Sequence, residues 1–123
     1  MNPPSARFPG RAPIEAYGNG GFRFAGMSHR GSILCLPSGI RAWEPAHPLD
    51  TASLAPALAE KAELGLLILG TGVHQQLPAP ELRRAFAEAR VPWEAMDTGA
   101  ACRTYNMLLA EGRPVGAALI AID

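Results

Sequence analysis

The sequence predicts an α/β fold: β-hairpin elements joined to a three-layer α/β core. Three observations carry this. The first half reads as short strands punctuated by glycine turns. The second half alternates helical and strand patterns, and its strands at 64–69 (LGLLIL) and 115–122 (VGAALIAI) are continuous apolar runs, as strands covered on both faces are. A chain of 123 residues is close to one modal domain and can bury one core without staples.

Taken in order, residues 1–13 hold four of the twelve prolines and no apolar period, which predicts a flexible N-terminal arm before a single domain at 14–123. Ile14–Tyr17 and Phe22–Ala25 flank Gly18-Asn19-Gly20-Gly21, and Asn-Gly supplies the positive φ values of a tight hairpin. A polar turn is expected at Ser28–Gly31, then strands at Ser32–Leu36 and Ile40–Trp43, broken by Pro37-Ser38-Gly39. Ser53 is placed to cap a helix to about Glu63, with Pro56 in its first turn. Pro80–Arg90 is amphipathic, with Leu82, Ala85, Phe86 and Ala89 on one arc. Trp93–Met96 reads as a short strand. Thr98 is expected to cap a helix to about Glu111, ended by Gly112, with Ala101, Tyr105, Leu108 and Leu109 inward and Cys102 at the edge. The helix–strand alternation argues for parallel pairing.

Charge narrows the function classes. Eleven basic and eleven acidic residues cancel, leaving no field to draw in nucleic acid or an anionic membrane. Lys61 is the one lysine. No window reaches the length of a membrane span, and the first residues lack the apolar run of a signal peptide. Cys35 and Cys102 are far apart and form no CxxC pattern, so both are expected as reduced, buried thiols in a cytoplasmic protein. No histidine or carboxylate spacing suggests a metal, and no motif calls for a cofactor.

Two places could carry chemistry. Gly70-Thr71-Gly72 follows a buried strand directly, where ligands of open α/β sheets collect and where glycine lets backbone N–H groups approach an anion. The plainer reading is a tight turn. The second place is the helix start: Asp97 and Thr98, then Arg103 and Asn106 beside Cys102. A guanidinium and an amide there could hold an anionic or carbonyl group. The plainer reading has Asp97 or Thr98 capping, Cys102 packing and Arg103 paired with a carboxylate such as Glu111 or Asp97. Thiol catalysis would need Cys102 beside a base such as His74. His29 is expected in a hairpin turn and His47 in a Pro-rich loop, as surface groups.

The segments YGNGGFRFAGMSHRGSILCLPSGIRAWE, LLILGTG and MDTGAACRTYNMLLAEGRPVGAALIAI add a resemblance over about residues 14–122. They resemble the small α/β family of unknown biochemical function that includes mitochondrial NADH:ubiquinone oxidoreductase complex assembly factor 3 and the adipogenesis-associated domain-containing protein. The resemblance implies a three-layer fold with a central mixed sheet, helices packed on it and an attached β-hairpin layer. It implies a bacterial relative of an assembly factor. Its partners would be respiratory complex I subunits or other assembly factors, with any membrane association peripheral and through a partner. It brings no established catalytic residues.

Three functions compete. The first is a non-enzymatic assembly protein acting through protein–protein contacts. The second is an anion binder using Gly70, Thr71, Gly72 and Arg103, with Asp97, Thr98 and Asn106 around them. The third is a thiol enzyme at Cys102.

Overall fold

The computed structural model describes residues 7–123. Its strands are β1 (Arg7–Phe8), β2 (Ile14–Gly18), β3 (Gly21–Phe24), β4 (Met27–Arg30), β5 (Ser32–Leu36), β6 (Gly39–Trp43), β7 (Leu66–Gly70), β8 (Trp93–Met96) and β9 (Val115–Leu119). Its helices are α1 (Ala55–Leu58), α2 (Pro80–Ala89) and α3 (Thr98–Ala110), with single 3-10 turns on either side of α1. One sheet has six strands in the order β1-β6-β5-β9-β7-β8, and a second has three in the order β2-β3-β4.

The large sheet is mixed. β7 pairs in parallel with both β8 and β9, while β9 meets β5, and β5 meets β6, antiparallel. The two apolar runs are therefore interior neighbours, with Leu67 opposite Gly116 and Ile68 opposite Ala117. From β7 the chain steps one way to β8, and from β8 it steps back past β7 to β9. Right-handed crossovers in opposite directions put α2 on one face and α3 on the other.

Alternation sorts the core to match. Ile33, Cys35, Ile68, Ala117 and Leu119 face α3 and the three-stranded sheet, meeting Ala101, Cys102, Tyr105, Phe22 and Phe24. Leu34, Leu36, Leu67, Leu69 and Ala118 face the other way, against Leu54, Ala57, Leu82 and Phe86. Three layers result: α1 with α2, the six-stranded sheet, and α3 beside the three-stranded sheet.

Several expectations are corrected. The polar turn at Ser28–Gly31 is strand β4 with His29 in it, because the chain turns earlier, at Ala25 (φ 50°) and Gly26 (φ 74°). The helix expected from Ser53 to Glu63 is broken into three short pieces. Glu60 leaves helical geometry (φ −106°) and reaches the β5–β6 turn, where its carboxylate accepts from the Ser38 N–H at 2.9 Å and from the Ser38 hydroxyl. Ser53 is itself capped by Asp50. α3 is capped by Asp97, not Thr98. The last strand stops at Leu119. Of the expected arm, residues 1–6 lie outside the described residues. Arg7 and Phe8 pair with Arg41 and Ile40, and Ala12 is buried in the core.

Candidate functional site

β6 runs parallel to β7, β8 and β9 through its antiparallel partner β5, so all four strands end at one edge of the sheet. The connections from β7 and β8 leave that edge on opposite faces. This is the topological switch where open α/β sheets place ligands.

On the α3 side the edge is closed. Gly70 lets α3 start against the strand: a Cβ there would lie 2.9 Å from Leu119, 3.1 Å from Ala101 and 3.2 Å from Thr98. Gly72 takes the left-handed conformation (φ 100°) that turns the chain away. Thr98 is fully buried. Its hydroxyl donates to the Ile120 carbonyl at 2.7 Å and accepts from the Gly72 N–H at 2.9 Å. The Thr98 N–H donates to the Gly72 carbonyl at 2.8 Å, and the Thr71 N–H to the Met96 carbonyl at 2.9 Å. The Asp97 carboxylate accepts from the Ala100 N–H at 2.9 Å. The N–H groups of Thr71 and Gly72, which an anion would need, are thus bonded within the protein.

The other residues expected here also have structural partners. Asn106 binds both backbone groups of Ile14, accepting its N–H at 2.7 Å and donating to its carbonyl at 2.8 Å, so it holds β2 to α3. Arg103 donates to the Tyr17 hydroxyl at 3.1 Å. The two ion pairs among the described residues are Arg23–Glu15 and Arg113–Glu111, so Arg103 is not part of either. Tyr17 leans over Gly99, where a Cβ would lie 2.7 Å from its hydroxyl. Cys102 is buried beneath this surface, and burial pushes its thiol up to about 12. Cys35 is buried on the same side of the sheet, raised first by burial and then by Cys102. Both thiols are free. Burial therefore disfavours the thiolate, the reactive form, at both positions. Among the described residues no group of three or more His, Cys, Asp or Glu could hold a metal.

The α2 side of the same edge is open. A cleft of about 420 Å³ lies between the loop after β6 and the loop after β7. Leu69 and Ile120, at the ends of β7 and β9, form its floor; His47 and Leu49 line one wall, Gln76 and Leu77 the other. Sequence reasoning saw His47 and Thr71 but not this cleft. The available signal was two Pro-containing loops, at 45–48 and 78–80, after strands that end at the same edge. Beside it, Val73 and Leu77 are 69% and 66% exposed.

The fold and this edge define a small α/β protein with a mixed six-stranded sheet and a second, three-stranded one. The model of a family of proteins of unknown function (DUF498/DUF598) matches residues 14–120, and the chain belongs to this family. An uncharacterized protein of Rhodobacter capsulatus is 38% identical over 120 residues, 98% of this chain and 93% of that protein. The NADH dehydrogenase [ubiquinone] 1 alpha subcomplex assembly factor 3 of Mus musculus is 30% identical over 117 residues, 94% of this chain. The chain spans 63% of that protein's length. The crystal structure of an outer membrane protein from Bartonella henselae superposes with a TM-score of 0.90 at 51% identity, covering 94% of this chain and 99% of that one. In the present chain no helix among the described residues is long and apolar enough to cross a membrane.

Proposed function

We propose that this protein is a non-enzymatic assembly factor for respiratory complex I, acting in the bacterial cytoplasm through protein–protein contacts. The observation that carries the reading is the 30% identity with the mouse assembly factor across 94% of the chain. The geometry supports it in two ways. Burial raises both thiols, and the polar groups of Asp97, Thr98 and Asn106 are bonded to backbone. Val73 and Leu77 present apolar side chains on one loop, as contact surfaces do. The test is deletion of the gene in its native organism. Assembled complex I on native gels and NADH:quinone reductase activity of the membranes should both fall, and a plasmid copy should restore them. Complex I subunits should cross-link to the tagged protein. Normal complex I in the deletion strain would contradict the proposal.

A further inference from the structure

The cleft on the α2 side has properties that a gap between surface loops does not need. Its volume of about 420 Å³ lies within the range of roughly 300–1,000 Å³ that small-molecule sites occupy. Both walls are held by side-chain hydrogen bonds. In the first wall the Ser53 hydroxyl accepts from the Ala46 N–H at 2.9 Å and donates to Asp50 at 2.6 Å. The indole of Trp43 donates to the Ser53 carbonyl at 2.8 Å. In the second, the Thr71 hydroxyl donates to the His74 carbonyl at 2.7 Å and accepts from the Gln76 N–H at 3.0 Å. Gln75 ties the same loop to the Ala95 carbonyl at 2.8 Å. Each loop is thus held in its own conformation, which favours a preformed cleft.

The lining states what it would accept. The floor is Leu69 and Ile120, and Leu49 and Leu77 extend the apolar surface up both walls. Among the described residues no carboxylate, lysine or arginine lines the cleft. A charged ligand would lose its hydration with no opposite charge to replace it. The polar residues of the lining are His47, Gln76 and Thr71, whose hydroxyl is already bonded within its loop; His47 and Gln76 suit one or two hydrogen bonds to a neutral partner.

We propose that the cleft between the 44–50 and 71–79 loops binds a small, uncharged, mainly apolar molecule carrying a hydrogen-bonding group that meets His47 or Gln76. The cleft shares Leu77 with the contact surface proposed above, but ligand binding in it can be tested without complex I. The probe is indole, neutral and aromatic with one N–H, titrated into the ¹⁵N-labelled full chain. Benzoate serves as a charged counterpart of similar size. Indole should shift the amides of Leu49, Thr71, Leu77 and Ile120 saturably, with a Kd of about 1 mM or lower. Benzoate should bind at least tenfold more weakly. Ala79 lines the mouth and is exposed, so Ala79→Phe should fill it and weaken indole at least tenfold. Should Ala79→Phe fail to fold, Leu77→Asp, which places a carboxylate at the rim, should do the same. The proposal is overturned if indole does not saturate, if its shifts map elsewhere, if benzoate binds equally well, or if a folded variant binds indole as the natural chain does.

Discussion

The two sides of one sheet edge share their strands and differ in what their hydrogen-bonding groups do. On the α3 side Thr98 links Gly72 to Ile120, Asp97 holds the helix start, and Asn106 holds β2. On the α2 side Thr71 and Ser53 use their hydroxyls to brace loops that stand apart. The same strand-end position thus yields a sealed joint on one face and a cleft on the other. Position at a switch point does not make a ligand site; what decides is whether the local donors and acceptors are already paired.

The sealed side should show its largest effect in thiol chemistry. With burial holding Cys102 near 12 and Cys35 raised as well, disulfide-reagent labelling at pH 8 should be slower than in the denatured chain by on the order of a thousandfold. Denaturation should release two free thiols. Rapid labelling of the native protein would show that the α3 side opens. Next in size is the core that both sides share. Leu67 is fully buried in the strand feeding the edge, and Leu67→Ala should cost about 2–5 kcal/mol in urea denaturation.

The two threonines compare the sides directly. Thr98→Val keeps the shape but leaves the Gly72 N–H and the Ile120 carbonyl without the hydroxyl, and should cost about 2–4 kcal/mol. Thr98→Ser keeps the hydroxyl and should cost about 1 kcal/mol. Thr71→Val acts where water can replace the lost partners, so about 1 kcal/mol is expected. Equal costs for Thr98→Val and Thr71→Val would erase the distinction. A smaller effect belongs to Asp50, whose carboxyl is held below its usual 3.8 by hydrogen bonds from the Ser53 hydroxyl and N–H. Its contribution is complete above that value and is lost as pH falls through the lower folded value. Asp50→Asn should therefore remove part of the acid sensitivity below pH 3.8 in a stability titration. An unchanged acid profile would mean that Asp50 does not brace the wall.

Period and turn chemistry made much of this legible. LGLLIL and VGAALIAI announced strands buried on both faces, and Asn19-Gly20 announced the first hairpin. What escaped was decided by contacts distant in sequence. Ala25 adopts a positive φ that its residue type does not advertise, so β4 looked like a turn. Glu60 bonds to Ser38, 22 positions away, and the expected long helix breaks there. At the edge, Gly70-Thr71-Gly72 had the composition of an anion loop. Its partner, Thr98, lies 26 residues beyond Gly72, and nothing local reveals that the pair is closed. The cleft escaped for the same reason, since its walls come from loops after β6 and β7.

The central claim is that the α3 side is structural and that function lies with the loop after β7. The measurement is complementation of the deletion strain, read as membrane NADH:quinone reductase activity with each variant's level checked by immunoblot. Arg103→Ala should restore activity fully, because it removes one exposed hydrogen bond to Tyr17 worth within about 0.5 kcal/mol. The double variant Val73→Asp/Leu77→Asp changes two exposed side chains, so it should accumulate normally and fail to restore activity. The reverse pattern, with Arg103→Ala inactive and the double variant active at normal levels, would contradict the account.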